Sequence, residues 1–282
     1  MKSITELNNI ASQVRRDIVR QTWLAKSGHP GASLGCADLM TALYFGILEK
    51  KLPFNMEGSD EDLFFLSNGH ISPVFYSVLA RSGYFDIHEL SSFRKLNSRL
   101  QGHPTTHEHV PGVRIASGSL GQGLSVAVGA GLGKKMNGDT KLVYVLTGDG
   151  ELQEGQNWEA IMSAAHYKLD NLIAIVDWNG QQIDGTNDKV MSLGDLRGKW
   201  TTFGWEVIEM EGNQMNSVVE QLHLAKEHTG KGKPIVILMK TIMGFGVDFM
   251  MGTHKWHGVA PNDEQTVQAL NQLPETLGDF NI

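Results

Sequence analysis

Residues 141–179 read KLVYVLTGDGELQEGQNWEAIMSAAHYKLDNLIAIVDWN. Two short apolar runs, residues 141–147 and 171–177, predict buried strands, and the segment between them predicts a helix near residues 154–167. A strand, a helix and a second strand in this order are typical of a parallel βαβ unit. This stretch therefore predicts the centre of a parallel sheet.

The remainder of the chain continues the alternation of strands and helices. Further strands are predicted over residues 62–66, 205–210 and 235–240. Helices are predicted over residues 3–26, 35–49, 121–136 and 216–228. This order favours an α/β fold with a doubly wound, mostly parallel sheet and helices on both faces. No linker or repeat interrupts it, so residues 1–282 are interpreted as a single domain.

Local patterns refine three of the predicted helices. Ser3 and Glu6 form a capping-box pattern at the start of the first. Ser72 is predicted to be the N-cap of another helix, with Pro73 in its first turn and Gly83 at its end. The helix over 121–136 holds three interior glycines, each costing about 0.5–1 kcal/mol relative to alanine. We therefore expect that helix to be buried with another backbone pressed against it.

Composition and charge exclude several classes of protein. The chain has 282 residues, a net charge of −7 and one cysteine, Cys36. The negative charge argues against nonspecific nucleic-acid binding, and the longest apolar runs, such as residues 235–239, are too short to span a bilayer. The N-terminus lacks the apolar core of a signal peptide. A single cysteine suits a reducing compartment, so a cytoplasmic protein without a membrane segment is expected.

Glycines and polar groups gather at the predicted strand ends. Glycine makes up 32 residues, and many stand beside histidine, aspartate or asparagine, which suggests backbone lying close to a ligand. One strand ends in Gly148-Asp149-Gly150, and the neighbouring strand ends in Asn179. Carboxylate and amide oxygens suit Mg²⁺, and the helix after Gly150 offers free N–H groups to a phosphate. A backbone carbonyl just after Asn179 is a further candidate ligand.

Seven motifs occur in an order that resembles the transketolase family along essentially the whole chain. These motifs are KSGHPGASLG (26–35), LSNGH (66–70), QGHP (101–104), SGSLGQG (117–123), GDGELQEG (148–155), DGT (184–186) and WHG (256–258). The spacing from GDG to Asn179 resembles the thiamine diphosphate motif of that family. The resemblance therefore implies a thiamine diphosphate-binding fold.

The resemblance also implies roles for individual residues. Asp149, Asn179 and the carbonyl of Gln181 match the ligands of Mg²⁺, a site that Ca²⁺ or Mn²⁺ would also suit. The residues that match cofactor contacts are His70, Gly118, Ser119, Leu120, Gly150, Asn179, Ile183 and His257. The residues that match catalytic or sugar-channel positions are His29, His103, His257 and Glu154. Glu154 and Glu159 match glutamates that join cofactor sites across the family's dimer interface.

The implied activity is the transfer of a two-carbon ketol unit from a ketose phosphate to an aldose phosphate through a thiamine diphosphate carbanion. Neutral imidazoles suit the proton transfers at both stages. His29 and His257 are expected to share the proton of the C3 hydroxyl, and His103 is expected to hold the C1 hydroxyl.

The family's pyrimidine-binding domain, its C-terminal domain and the glutamate that activates the cofactor match nothing in this chain. The chain is therefore interpreted as the N-terminal subunit of a split transketolase. Its expected partner is a separate C-terminal subunit, in an α₂β₂ heterotetramer that is inactive without both chains.

Several alternatives stay open. Another thiamine diphosphate enzyme, of the 2-oxo-acid dehydrogenase or deoxyxylulose phosphate synthase type, shares the GDG motif, and a non-catalytic paralogue would keep the fold. A nucleotide-phosphate binding module is disfavoured because the chain has no P-loop and no GxGxxG after the first strand. His254 competes with His257 for one position, His107 and His109 match nothing assigned, and the sugar is not identified. Ser119 stands where many family members have proline.

Overall fold

A five-stranded sheet forms the centre of the protein in a computed structural model that describes residues 2–282. Its strands are β1 (Leu63–Leu66), β2 (Val143–Gly148), β3 (Leu172–Trp178), β6 (Glu206–Glu211) and β7 (Ile235–Lys240). The order across the sheet is β1-β2-β3-β7-β6, and every pairing in it is parallel. A two-stranded antiparallel hairpin, β4 (Gln181–Gln182) with β5 (Gly185–Thr186), follows β3. The predicted α/β fold class is confirmed.

Ten α-helices surround the sheet in the described part of the chain. They are α1 (Ile4–Ala25), α2 (Pro30–Gly35), α3 (Ala37–Ala42), α4 (Ser72–Arg81), α5 (Gly123–Met136), α6 (Gly155–His166), α7 (Asn187–Val190), α8 (Leu196–Thr202), α9 (Met215–His228) and α10 (Asp263–Gln272). A long loop over residues 97–120 contains one short 3₁₀ turn, Thr106–Glu108. None of the helices within residues 2–282 has the length and apolar character needed to cross a bilayer.

Two hydrophobic cores lie on opposite faces of the sheet. Side chains alternate between them along each strand: Tyr144 and Leu146 enter the core shared with α1, α3, α4 and α9. Val143 and Val145 enter the core shared with α5, α6 and α8. A sheet buried on both faces needs apolar residues at successive positions, which is why its strands appear as continuous apolar runs in the sequence.

The predicted helix caps are partly correct. Ser3 and Glu6 form the expected capping box at α1. The prediction for α4 is wrong, because Ile71 occupies the N-cap and Ser72 is already helical. The Ser72 hydroxyl donates instead to the carbonyl oxygen of Gly102, 2.7 Å away. It therefore ties α4 to the long loop that carries His103.

The second helical segment begins earlier than predicted. The helix begins at Pro30, not at residue 35, and is interrupted at Cys36 before it ends in a π-helical turn at Ile47. Proline lacks the N–H group that is left unpaired in the first turn of a helix, so it starts a helix as readily as it stops one. His29 consequently stands at the N-cap of α2.

The glycine-rich helix α5 also differs from its prediction. Gly131 packs near Asn171 and Leu169, but a Cβ added at Gly129 or Gly133 would have no other atom of the described chain within 4 Å. Val126, on the same helix, is exposed. Within residues 2–282, no other backbone is therefore pressed against Gly129 or Gly133, contrary to the prediction for this helix.

Candidate functional site

A cavity of about 330 Å³ lies at the carboxyl ends of β2 and β3, where parallel sheets usually bind ligands. The predicted site residues that line it are His29, His70, His103, Gly118, Leu120, Asp149, Gly150, Glu154, Asn179, Gln181, Ile183 and His257. Ser119 is not among the lining residues, and Glu159 is exposed on α6. The cavity therefore gathers all but one of the residues predicted to bind or react.

Four histidines from distant parts of the chain meet at one end of this cavity. The His29 ring lies 5.2 Å from that of His70, 6.1 Å from that of His103 and 5.6 Å from that of His257, centroid to centroid. His29 Nδ1 and His257 Nδ1 are buried without a hydrogen-bond partner. Both rings line the same cavity, and no hydrogen bond at Nδ1 within the described chain fixes either imidazole in one tautomer.

The surroundings keep these imidazoles unprotonated. Burial, followed by the charges of His257, Arg94 and His103, lowers the pKa of His29 to about 4. Burial also lowers the pKa of His70, of His103 and of His257. Neutral imidazole both accepts and donates hydrogen bonds, so the cluster is suited to moving protons near neutral pH.

Two acidic side chains meet where β2 and β3 end. Gly148 pairs with Asp177 across the strands, which places Asp149 beside Asp177. Burial and the nearby Asp177 raise the pKa of Asp149 to about 7. Asp149 accepts hydrogen bonds from the N–H groups of Gly150 (2.8 Å) and Gly180 (2.6 Å). A buried carboxylate beside a second one is the environment that a divalent cation would stabilise.

Asn179 is held in one orientation by its neighbours. Its Nδ2 donates to Asp177 Oδ2 at 2.8 Å, and its Oδ1 accepts from the Gln181 N–H at 2.9 Å. Thr241 donates its hydroxyl to the other oxygen of Asp177. Within residues 2–282, no three His, Cys, Asp or Glu side chains gather as a metal site. The predicted Mg²⁺ site is consistent with that, because it uses one carboxylate, one amide and one carbonyl.

Two glycines at the cavity wall make room for side chains that line the cavity. Gly118 has φ +120°, and a Cβ there would lie 2.7 Å from the His103 ring. A Cβ at Gly150 would lie 3.2 Å from Gln182. Asn68 Oδ1, on the cavity wall, is buried without a partner. An unpartnered oxygen in the cavity that Asp149 also lines fits a cation, or a hydrogen-bond donor of a bound group, and Mg²⁺ that accompanies a diphosphate is such a cation.

Glu151 is a buried carboxylate that the sequence reasoning missed. It accepts hydrogen bonds from the N–H groups of Gly121 (2.8 Å) and Gly148 (3.0 Å) and from the Ser67 hydroxyl. Ser67 Oγ in turn accepts from the Gly123 N–H at 3.1 Å. Glu151 thereby joins the ends of β1 and β2 to the segment 117–123. Its place directly after GDG was visible in the sequence, but its burial was not.

The remaining predicted residues lie at or beyond the rim. Glu154 lines the cavity but is exposed, and Ile183 is 61% exposed. His254 does not line the cavity; its carbonyl accepts from the His257 N–H at 2.8 Å. His107 and His109 are exposed on the long loop. The geometry thus favours His257 over His254 for the position inside the cavity.

Comparison with known proteins shows what this chain resembles. Residues 7–278 match the family described as "Transketolase, thiamine diphosphate binding domain". A subunit of the apulose-4-phosphate transketolase of Phocaeicola vulgatus is 39% identical over 263 residues, which are 93% of this chain and 92% of that protein. The 6-deoxy-6-sulfo-D-fructose transketolase subunit SqwG of a Clostridium species is 36% identical over 268 residues, 95% of this chain and 96% of that protein.

A solved structure agrees with the sequence comparison. The transketolase from Campylobacter jejuni matches with a TM-score of 0.89 and 34% identity, covering 96% of this chain and 43% of that one. The chain therefore spans less than half the length of that transketolase, but nearly the whole length of the subunits named above.

Proposed function

This chain belongs to the transketolase family, as its thiamine diphosphate-binding part, and from that premise we propose that it is the N-terminal subunit of a two-chain transketolase. The reaction is the transfer of a two-carbon ketol unit from a ketose to an aldose. The observation that carries the proposal is the convergence of four neutral histidines on a cavity that also holds Asp149 and Asn179.

Residues at the two strand ends would hold the cofactor and its cation. Asp149, Asn179 and the carbonyl of Gln181 are proposed to bind Mg²⁺, and Ca²⁺ or Mn²⁺ would suit the same hard oxygen donors. Gly150 and His70 are proposed to contact the diphosphate. The segment of Gly118, the exposed Ser119 and Leu120, together with Ile183, is proposed to contact the rings of the cofactor.

The histidines supply the proton transfers. When bound, thiamine diphosphate provides the nucleophilic carbon and the electron sink of the reaction. His29 and His257 take the proton of the donor's C3 hydroxyl as the C2–C3 bond breaks, and they return a proton to the acceptor's aldehyde oxygen as the new bond forms. His103 orients the C1 hydroxyl of the transferred unit. These assignments need imidazoles that are neutral before the reaction, as the lowered pKa values indicate.

A second chain is proposed to complete the site. The relatives of matching length are themselves named as subunits of a transketolase, which supports a separate partner that contributes the pyrimidine-binding and C-terminal domains. Apolar side chains that line the cavity are open to solvent in this chain, among them Ile183 (61% exposed) and Leu120 (36%). Glu154, exposed at the rim of the same cavity, is proposed to contact the neighbouring subunit. The assembly we propose is an α₂β₂ heterotetramer.

The substrate is proposed to be a sugar with an anionic end. One relative is named for a sugar phosphate and another for a sulfonated sugar, so a phosphate or a sulfonate is the class of substituent to test. A pentose phosphate would be the ordinary member of this class. A cytoplasmic location stays a prediction.

A direct test combines this chain with a C-terminal transketolase subunit, thiamine diphosphate and Mg²⁺. We expect ketol transfer from ketose phosphates to aldose phosphates, measured by the appearance of the new ketose, and no release of CO₂ from 2-oxo acids that lack a 3-hydroxyl group. Decarboxylation without ketol transfer would instead assign the chain to another class of thiamine diphosphate enzyme. Cofactor binding without either reaction would favour a non-catalytic paralogue.

A further inference from the structure

Arg94 differs from every other arginine of the chain. The other arginines each pair with an aspartate or glutamate: Arg15, Arg16, Arg20, Arg81, Arg99, Arg114 and Arg197. Among residues 2–282, Arg94 forms no ion pair. Its Nε is buried without a partner, and the side chain is half-buried. A half-buried cation without a carboxylate is costly, so its position calls for a reason.

The guanidinium connects the two segments that carry His29 and His103. Nη1 donates to the hydroxyl of Ser27, two residues before His29, at 3.0 Å. Nη2 lies 3.5 Å from the carbonyl oxygen of Gly102, directly before His103, at the outer limit of a hydrogen bond. One side chain therefore reaches two of the four segments that carry the histidine cluster.

The two glycines of these segments are shaped by residues 93 and 94. A Cβ at Gly102 would lie 2.5 Å from Arg94 Cζ, so the guanidinium packs directly against the Gly102 backbone. Gly28 has φ +129°, and a Cβ there would lie 2.9 Å from Thr22 Cγ2 and 3.2 Å from the ring of Phe93. Phe93 itself is buried. Gly102 thus makes room for Arg94, and Gly28 makes room for Thr22 and Phe93, not for a ligand.

The backbone of Arg94 is fixed as well. Arg94 has φ +57°, in the left-handed region that non-glycine residues seldom adopt. Its N–H donates to the Leu100 carbonyl at 2.9 Å, which closes the loop between residues 94 and 100. The side chain is therefore directed by a folded loop, which makes its contacts with Ser27 and Gly102 reproducible.

We propose that Arg94 is a positioning residue for the ketol-transfer reaction: it sets the separation of His29 and His103 and disfavours a positive charge on either imidazole. This inference rests on the function proposed above. An unneutralised cation raises the free energy of a second cation placed nearby in a partly buried site. A carboxylate partner, which each of the other arginines has, would cancel this repulsion between positive charges. Arg94 has no such partner, so its charge acts on the two imidazoles.

Other groups face the same two rings and must be considered. His29 faces His70, His103 and His257, and burial is the largest cause of its lowered pKa. For His103, burial again comes first, and Arg94 is the remaining cause. Arg94 is thus the one permanently charged group that contributes to both pKa values.

The experiment separates charge from geometry with two variants. Arg94→Gln removes the charge and keeps a hydrogen-bonding group, whereas Arg94→Lys keeps the charge and loses the two-pronged contact. Arg197→Gln, a change at an exposed arginine paired with Glu209, serves as the control. The pKa values of His29 and His103 are measured by NMR on the histidine-labelled chain. The pH profile of kcat/KM and the thiamine diphosphate affinity are measured on the two-chain complex.

We expect Arg94→Gln to raise the pKa of both histidines and to move the acid limb of kcat/KM to higher pH. Arg94→Lys should leave that limb in place but lower kcat several-fold at every pH. A displacement of 1 Å in a reacting group lowers the rate by about 10²-fold, and we expect a smaller displacement here. Both variants should keep the cofactor affinity, and Arg197→Gln should match the wild type.

Two results would overturn the inference. One is an Arg94→Gln variant whose histidine pKa values and acid limb equal those of the wild type, even if it melts earlier. The other is an Arg94→Lys variant whose rate is unchanged or whose acid limb is shifted. This second result decides the question if the Arg94→Gln variant does not fold. A wild-type complex without ketol transfer would refute the proposed function and not the role of Arg94. The NMR measurement needs no turnover, so it still tests the effect of Arg94 on the two histidines in that case.

Discussion

His70 and His257 lie stacked, with ring centroids 5.1 Å apart and an angle of 25° between the ring planes. His70 follows β1, whereas His257 comes from the segment after β7, so strands β1 and β7 and the loops that follow them bring the pair together. Both rings are half-buried in the same cavity. Two imidazoles this close disfavour protonation of one another, which is a property of the fold and not of either residue alone.

The first prediction concerns acid stability. The pKa of His29 is about 4 in the folded chain, against an ordinary value of 6.5. Between these values the unfolded chain binds a proton that the folded chain does not, so stability falls as the pH drops through this range. When the pH falls from 7 to 5, the wild type should therefore lose more stability than the His29→Asn variant, by on the order of 1–2 kcal/mol.

Urea unfolding at both pH values measures this effect. His223→Asn, a change at an exposed histidine on α9, is the control. An equal loss of stability in the His29 variant, the His223 variant and the wild type would show that His29 does not titrate as described.

The second prediction separates reaction from cofactor binding. His29→Ala should lower turnover of the two-chain complex by about 10²–10⁴-fold, the usual contribution of a general acid or base, with little change in thiamine diphosphate affinity. His254→Ala is the matched control, because its side chain does not line the cavity. If cofactor affinity falls by the same factor as the rate, His29 acts on the cofactor side and the assignment is wrong.

The third prediction concerns Glu151. Its carboxylate accepts from Ser67, Gly121 and Gly148, and an amide in its place would turn N–H groups toward some of these donors. A buried donor left unpaired costs about 1–3 kcal/mol. Glu151→Gln should therefore weaken binding of Mg²⁺ and thiamine diphosphate by about 10–100-fold, as loss of supporting contacts around metal ligands does.

Calorimetric titration with the cofactor and Mg²⁺ measures this change. Glu227→Gln, on the exposed face of α9, controls for the loss of one negative charge. Wild-type affinity in the Glu151 variant would mean that segment 117–123 keeps its place without the carboxylate.

The fourth prediction uses the outward glycines of α5. No other part of the described chain lies within 4 Å of a Cβ at Gly129 or Gly133, and alanine in a helix is more stable than glycine by about 0.5–1 kcal/mol. The double alanine variant should therefore raise the melting temperature of the isolated chain. If the partner packs its backbone there, the same variant should weaken assembly, which sedimentation of the mixed chains would detect. A lower melting temperature for the isolated chain would contradict the open face.

The sheet was predictable because its residues carry a local signal. Strands buried on both faces must be apolar at every position, so β2, β3 and β7 stand out as runs. Helix starts were less predictable: Pro30 begins α2 although proline also ends helices, and Ser72 bonds to Gly102 instead of capping α4. These choices depend on partners that are distant in sequence.

The site was predictable to the extent that its residues belong to motifs. His29, His70, His103 and His257 each stand beside a glycine in a quoted motif, and the structure brings them together. Glu151 and Arg94 were not found, because their importance comes from burial and from missing or shared partners, which no single segment displays. The roles of all these residues remain predictions.

We propose that this chain performs ketol transfer only together with a second chain that completes the cofactor site. The most direct measurement compares the rate of ketol transfer for the purified chain, for a C-terminal transketolase subunit, and for their mixture, all with Mg²⁺ and thiamine diphosphate. We expect turnover in the mixture and none in either chain alone. Robust ketol transfer by this chain alone would show that it needs no second chain.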